Sequence, residues 1–285
     1  MSTMVLVPAD PLRPRRPDGH FAPEAGAARE AGLDVAVVDH DALSTPDGAR
    51  RAVARVEAGE RQAVYRGWML RSAQYAAFAG ALQDRGVTLR TSAAQYRQAH
   101  ELPGWYAALA DVTPRSVWTA GDEREAFERA AGDLGDGAAV LRDYTKSMKH
   151  HWHEAAFIPD LADTAAAWAV AQRLRELRDD EFTGGFVLRR FEELSKAEVR
   201  TWWVGGACKL VGPHPDTPHE LPPADLDLAA VAPLVAALGL PFVTVDLALR
   251  SDGVWRVIEL GDGQVSDRPG TVDPEEFVAA VLGPR

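Results

Sequence analysis

Two acidic residues sit inside apolar runs near the C-terminus. Asp246 lies in P-F-V-T-V-D-L-A-L (241–249) and Glu259 in V-I-E-L-G-D-G-Q-V-S (257–266). Each run has the β-branched and apolar content of a mostly buried strand. Ser251-Asp252-Gly253 between them is a hairpin signal. With Asp252-Gly253 as a two-residue loop, Asp246 pairs with Glu259 across the ladder. A three-residue loop shifts the pairing by one and leaves the two acids adjacent. Opposed like charges destabilise a strand pair, and burial makes this worse. Three readings stay open: one acid faces solvent, one acid is protonated, or a cation sits between them. Hard divalent cations prefer carboxylate oxygens. Gly261 and Gly263 let backbone come close to a ligand and free Asp262, Gln264 and Ser266 to point at it.

Other residues carry weaker chemistry. Glu198 and Arg200, two apart, share a strand face, as a surface ion pair would. His150, His151 and His153 flank Trp152 with no cysteine near. Adjacent histidines in an extended loop point different ways, so the segment reads as a lid over substrate or phosphate, or as a solvated loop, rather than as a zinc site. His214 and His219 flank P-D-T-P and read as loop residues. Tyr65-Arg66-Gly67-Trp68 ends a strand. Ligands of open α/β sheets bind at the carboxyl ends of strands, so Arg66 either faces an acceptor or caps the strand beside a buried Trp68. Cys208 reads as packing. There is no G-x-G-x-x-G after the first strand, no P-loop and no G-x-S-x-G elbow.

The elements that must position these residues fall into two styles. The N-terminal third alternates strands (4–7, 33–38, 63–65, 87–89) with helices (23–31, 46–58 from an N-cap at Thr45, 72–85), which predicts a parallel α/β sheet. Thr113 to Trp118 leads into a second unit. A helix over 121–131, a strand over 138–142 and a helix over 163–178 follow. Strands then dominate at 186–191, 198–204 and 207–211, the last two joined by Gly205-Gly206. A helix over 226–238 and the acidic hairpin complete an α+β pattern. The uncharged stretch 228–245 is broken by Pro233, Gly239 and Pro241, so it reads as a buried helix, a turn and a strand, not as a membrane span.

The chain has 285 residues, a formal net charge of -11 and one cysteine. That charge argues against nucleic acid or anionic membrane as the main partner. A lone cysteine excludes an intramolecular disulfide and fits a reducing cytosol. The segment M-S-T-M-V-L-V-P lacks the layout of a secretory leader, and the expectation is a cytoplasmic protein.

In order and spacing, four stretches resemble the ATP-grasp superfamily, in particular its small stand-alone proteins. A-A-V-L-R-D-Y-T-K-S resembles the strand and loop that deliver basic residues to the nucleotide phosphates. F-V-L-R-R-F-E-E-L resembles the hinge strand along adenine. A-E-V-R-T-W-W-V-G-G resembles the E-x-R strand of the active site, and the stretch from Val245 to Ser266 resembles the acidic hairpin that holds magnesium. The front stretches Y-R-G-W-M-L and T-P-R-S-V-W are similar too.

The resemblance implies an α/β front domain (1–112) followed by an α+β ATP-grasp fold (113–285), whose subdomains 113–182 and 183–285 grip the nucleotide. It implies ATP and Mg²⁺ as cofactors, with Asp246 and Glu259 as metal ligands. The family's usual E-x-N asparagine is replaced by Gly261, so Asp262 or water would supply that ligand. Arg142, Lys146 and Lys149 become phosphate ligands, with Arg142 where lysine is usual. Backbone near Arg190 and Phe191 would meet adenine, and Glu192 or Glu193 the ribose. Arg200 and Lys146 become catalytic. The reaction implied is ligation of a small-molecule or peptide carboxylate to an amine or thiol through an acyl-phosphate. A phosphotransferase on the same site and a decayed nucleotide-binding regulator are the alternatives, and the oligomeric state is left open.

Overall fold

The computed structural model describes residues 3–195 and 198–282. Ala197, the first residue of the A-E-V-R-T-W-W-V-G-G stretch, lies outside them. The chain forms two compact units: unit 1 comprises Met1–Ala99, Ala197–Leu247 and Glu259–Arg285, and unit 2 comprises His100–Lys196 and Ala248–Ile258. Both are discontinuous in sequence, a different partition from the contiguous stretches expected above.

Unit 1 begins with a sheet of β1 (Thr3–Pro8), β2 (Asp34–Val38), β3 (Arg61–Tyr65) and β4 (Val87–Leu89) in the order β2-β1-β3-β4, all parallel. β1 is buried along nearly its whole length, as the central strand of a parallel sheet covered on both faces should be. Helix Ser72–Gln83 and the following β4 match the expected pattern. The expected helix over 46–58 does not form. Asp39, not Thr45, caps a short helix His40–Leu43 by accepting the N–H of Ala42, and the chain turns at Asp47 (φ 55°) before a second short helix, Ala49–Ala52. Helices Ala93–His100 and Leu102–Leu109, not anticipated from the sequence, follow β4.

Unit 2 holds a second sheet of β5 (Ser116–Trp118), β6 (Ala139–Arg142), β7 (Phe157–Ile158) and β8 (Val187–Arg190) in the order β5-β8-β6-β7, with antiparallel neighbours. Its core packs Phe127, Leu134, Leu141, Ala171, Leu174, Phe186 and Leu188. Each large side chain buried here contributes about 1.5–3 kcal/mol. Helix Thr164–Arg178 starts where the Asp163 carboxylate accepts the Ala166 N–H, and it carries Arg175 and Arg178 in its last turn, where cations suit the helix dipole.

The third sheet comprises β9 (Val199–Val204), β10 (Ala207–Pro213), β11 (Phe242–Leu249) and β12 (Trp255–Asp262) in the order β10-β9-β11-β12. Gly205 and Gly206, both at positive φ, turn β9 into β10, as the Gly-Gly pair predicts. The helix expected over 226–238 shrinks to Ala232–Ala237. Pro233 falls in its first turn, where a missing N–H costs nothing. In unit 1 Trp202 and Phe242 of this sheet share a core with Val5, Val7, Phe21 and Phe277. Among the described residues no helix is long and apolar enough to cross a membrane.

Candidate functional site

In unit 1 the two apolar acid-bearing strands form as the sequence suggests, but the acid pair finds an answer that the sequence alone did not offer. β11 pairs with β9 antiparallel, and Asp246 stands opposite Arg200. Arg200 Nε donates to Asp246 Oδ1 at 2.8 Å and Nη2 donates to Oδ2 at 2.8 Å, a bidentate fork. Neither a protonated acid nor a cation is needed to place Asp246 in the sheet. Burial pushes the Asp246 carboxyl up, yet the Arg200 charge and its hydrogen bonds, with His214 behind them, outweigh it and the net shift is down. Burial pulls the Arg200 guanidinium down; Asp246, then Glu259 and Glu198, reverse this and raise it.

The third nitrogen of Arg200 is the informative one. Nη1 makes no hydrogen bond within the protein among the described residues, and the side chain stays 14% exposed. Asp246 therefore grips one edge of the guanidinium and leaves a donor uncommitted. Glu198, two residues before Arg200, and half-buried Glu259 on β12 surround it with acidic groups. His214 joins them. Read as a loop residue, it does follow β10 in a loop, but it is buried, with Nε2 3.5 Å from Asp246 Oδ2 and 3.5 Å from Glu198 Oε2. Nothing local in P-H-P-D-T-P marks it; only the β9–β10 hairpin brings it back beside the start of β9.

Asp262 is not brought to this group. Three strand positions separate it from Glu259, so the two side chains leave β12 on opposite faces. Asp262 is fully buried, accepts the Gln264 N–H at 2.9 Å, and has an Oδ2 with no partner within hydrogen-bond distance. Burial raises its carboxyl to about 6. Gln264, also buried, ties the same region to the front sheet: its Oε1 accepts the Tyr65 N–H and its Nε2 donates to the Tyr75 hydroxyl. At Gly261 a side chain would project toward the Thr244 and Ser266 hydroxyls, which are bonded to each other at 2.8 Å. Oxygen donors around this position are thus Glu259, Asp246 and two hydroxyls, a set that suits a hard cation such as Mg²⁺.

Arg66 does not face an acceptor. It is fully buried, bidentate with Glu24 through Nε (2.8 Å) and Nη2 (3.2 Å), and its Nη1 donates to Gly263 O and Gln264 O. Trp68 is the exposed member of that stretch, at 38%, against His20 and Phe21.

Unit 2 carries the basic and aromatic candidates. Arg142 is buried at the end of β6, where Nη2 donates to Thr145 O at 2.6 Å and Nε to Asp143 O at 3.3 Å. Asp143 shapes the next turn: Oδ1 accepts the N–H groups of Thr145 and Lys146 and the Thr145 hydroxyl, while Oδ2 accepts from Arg178 Nε and Thr183 N. That turn presents half-buried Lys146, and exposed Lys149 opens a 3₁₀ turn that runs into a π-helical turn, Trp152–Ala156. The segment with His150, His151 and His153 is therefore helical, not extended.

The hinge residues divide by role. Arg190 turns its guanidinium to the C-terminal end of helix Arg124–Leu134 and donates to Leu134 O, Gly135 O and Asp136 O, where last-turn carbonyls need donors. The N–H groups of Arg190 and Phe191 are taken by Arg115 O and Ala138 O. Glu192 is held by Arg256 in a second bidentate pair, at 2.8 and 3.0 Å, while Glu193 is exposed. Phe191, 38% exposed, packs edge-on against Phe157 at 5.2 Å, and Phe157 stacks on Trp152 at 5.4 Å. This aromatic trio was not foreseen, because Trp152, Phe157 and Phe191 lie on separate elements. The turn between β11 and β12 is the three-residue form: Arg250 N donates to Val254 O across 251–253, with Gly253 at φ 85°.

Comparison with known proteins places these residues in context. A structure from Sphaerobacter thermophilus DSM 20745, a RimK-domain ATP-grasp protein, is similar with a TM-score of 0.63 and 19% identity, covering 99% of this chain and 100% of that one. The D-cycloserine synthetase DcsG is similar with a TM-score of 0.65 and 18% identity, over 98% of each chain. The ATP-grasp ligase PsnB, complexed with a minimal precursor, Mg and ADP, has a TM-score of 0.57 and 16% identity over 98% of this chain and 97% of that one. At these identities the likeness shows the fold, an ATP-grasp fold. A sequence search of curated proteins found no match. A family model of the ATP-grasp domain, that of its clade family 3, matches residues 131–281, more than half of the chain and the part holding Arg142, Arg200, Asp246 and Glu259; the protein belongs to this ATP-grasp family.

Proposed function

We propose that this protein is a cytoplasmic, ATP- and Mg²⁺-dependent ligase that joins the carboxylate of a small molecule or peptide to an amine, or to a thiol, through an acyl-phosphate. The observation that carries the reading is Arg200, a guanidinium clamped by Asp246 with Nη1 left uncommitted and acids on its flanks. Such a group is preorganised to meet charge on a transferring phosphoryl group without having to reorient. The substrate carboxylate oxygen attacks the γ-phosphorus and ADP leaves. The amine nitrogen then attacks the acyl carbon, phosphate leaves, and the nitrogen gives up a proton.

Glu259 and Asp246 are the residues that would hold Mg²⁺, which supplies charge neutralisation at the phosphate oxygens. Asp262 drops out of this set because it faces the other side of β12. Lys146 and Lys149, set on the turn shaped by Asp143, are the phosphate donors of unit 2, with Lys146 also catalytic. Arg142 is assigned to holding their loop, since two of its nitrogens donate to loop carbonyls. Phe191, with Trp152 and Phe157, offers an apolar face to a nucleobase, and Glu193, rather than the Arg256-bound Glu192, remains for ribose hydroxyls. We retain residues 1–112 as the front domain, with 113–182 and 183–285 as the two halves of the ATP-grasp domain. The ligase PsnB, solved with precursor, Mg and ADP, and the synthetase DcsG support this reaction class.

The test is product analysis with Mg-ATP and pools of amino acids and short peptides. Acceptor-dependent ADP plus inorganic phosphate supports the ligase. ADP with a phosphorylated acceptor points to a phosphotransferase, and nucleotide binding with no turnover in any pool points to a regulator.

A further inference from the structure

His214 lies beside the Arg200–Asp246 fork and has no part in the reading above. Its two ring nitrogens face conflicting partners. Nδ1 accepts the backbone N–H of Asp216 at 3.2 Å. Nε2 lies 3.2 Å from Arg200 Nη2, another N–H donor, and 3.5 Å from both Asp246 Oδ2 and Glu198 Oε2. A neutral imidazole has one nitrogen that accepts and one that donates, so it cannot accept from both sides. The Asp216 N–H is fixed backbone only two residues away, and it claims the acceptor at Nδ1. Asp216 Oδ2, the competing acceptor on that side, is farther from Nδ1, at 3.7 Å. The proton therefore sits on Nε2, where two carboxylates converge. With that tautomer the Arg200 contact is not a hydrogen bond; Nη2 and Nε2 are two donors aimed at the same oxygen, Asp246 Oδ2.

We propose that His214 is a positioning residue, whose Nε2–H holds the Asp246 carboxylate from the side opposite Arg200 and so fixes the direction in which Arg200 Nη1 points. The role rests on the ligase reading, in which Nη1 meets a phosphate. Carboxylates that grip a functional cation are themselves oriented by an outer hydrogen bond, and loss of such a partner typically costs about 10- to 100-fold. His214 suits this task better than a lysine would, because a planar ring anchored at Nδ1 aims its second nitrogen in one direction.

The first experiment does not depend on function. Histidine ¹⁵N resonances of the intact protein should show the His214 proton on Nε2; a proton on Nδ1 overturns the proposal. The second compares His214→Leu with His214→Gln, whose amide can return an N–H near the Nε2 position. With Mg-ATP and the acceptor pool, the leucine variant should lower kcat by about 10- to 100-fold with KM for ATP little changed, and the glutamine variant should recover most of it. Circular dichroism on both confirms the fold. Equal loss in the two variants, or no loss with leucine, overturns the positioning role. Absence of turnover in the unmodified protein overturns the ligase reading and leaves the tautomer result to stand or fall alone.

Discussion

Unit 1 contains two bidentate arginine–carboxylate pairs, Arg66–Glu24 and Arg200–Asp246, nearly alike in local geometry and unlike in everything around them. Arg66 is sealed. Its side chain is 1% exposed, Nη1 is taken up by two carbonyls, and the guanidinium lies 4.9 Å from the Phe277 ring and 5.5 Å from the Trp202 ring. Arg200 is open on one edge, 14% exposed, with an uncommitted Nη1 and with Glu198 and Glu259 near. A saturated guanidinium has nothing left to offer a ligand and serves the fold. A half-saturated one is held in place and still has a donor to give. The difference between structural and functional arginine lies in the leftover valence, not in burial or in the acid partner.

The largest effect should come from breaking the sealed pair. Glu24→Ala leaves a buried guanidinium charge without its carboxylate and should cost about 3–5 kcal/mol. Asp246→Ala should cost clearly less, because Arg200 keeps partial exposure and the charges of Glu198 and Glu259. Urea denaturation of both variants measures this, and equal losses would remove the contrast. In turnover the order should reverse: Asp246→Ala should be nearly inactive, while Glu24→Ala, assayed where it is still folded, should retain activity.

This contrast also marks where the sequence was readable. β1, the Ser72–Gln83 helix and β11 appear in the chain as apolar runs with local stop signals, and they form close to where those signals place them. The helices His40–Leu43 and Ala232–Ala237 depart from expectation at single local features: the Asp39 cap in one case, Pro233 in a first turn in the other. The site was half legible. Asp246 and Glu259 stand out as acids among apolar neighbours, but sequence pairs Asp246 only with its hairpin partner strand. Its match with Arg200 depends on β9 docking along β11, a contact between segments about forty residues apart, and no local periodicity encodes that. Arg66 shows the converse. Its position at the end of a strand suggested a ligand, and only Glu24 and the carbonyls of the 263–264 turn reveal it as a structural residue.

The second prediction concerns that same 263–264 turn. Asp262 caps it by accepting the Gln264 N–H, while Arg66 Nη1 takes the turn's carbonyls. Burial raises the Asp262 carboxyl from 3.8 to about 6. Below about pH 4 the carboxyl is protonated folded or unfolded, and it has no effect on the balance. As pH rises from about 4 to 6 the unfolded chain ionises first, so stability falls. Above pH 6 the full penalty applies, about 3 kcal/mol, because each tenfold change in proton affinity is worth ~1.4 kcal/mol. Asp262→Asn keeps an oxygen for Gln264 and removes the ionisation. Its stability should be flat across this window and exceed the parent's by up to about 3 kcal/mol at pH 7–8. Urea titrations at a series of pH values test it; parallel profiles would show that Asp262 titrates normally.

A third change sharpens the open side. Arg200→Lys keeps the charge but loses the fork, so one nitrogen must choose between Asp246 and the ligand. Turnover should fall by about a hundredfold, equivalent to about 2.7 kcal/mol of transition-state stabilisation, with a smaller change in melting temperature. If the lysine variant is as active as the parent, a point charge suffices and the uncommitted Nη1 has no special standing.

The smallest effect probes what seals Arg66. Phe277 presents its ring 4.9 Å from the guanidinium carbon and meets Trp202 edge-on at 4.9 Å. Phe277→Leu keeps an apolar side chain in the core but removes the negative ring face under a desolvated cation. A cation–π contact of this kind is worth about 1–2 kcal/mol, and leucine also fills the space less completely, so a loss of about 2 kcal/mol is expected from packing and charge together. A double-mutant cycle with Arg66→Met separates the two. A coupling of about 1 kcal/mol assigns that part to the charge, whereas a coupling near zero leaves the whole loss to packing. Because no aromatic ring is recorded over the Arg200 guanidinium, the charge-dependent part should have no counterpart there, and turnover of Phe277→Leu should match that of the parent. A drop in turnover without a drop in stability would mean that the sealed pair reaches the functional one after all, and the distinction drawn between the two arginines would fail at its most sensitive point.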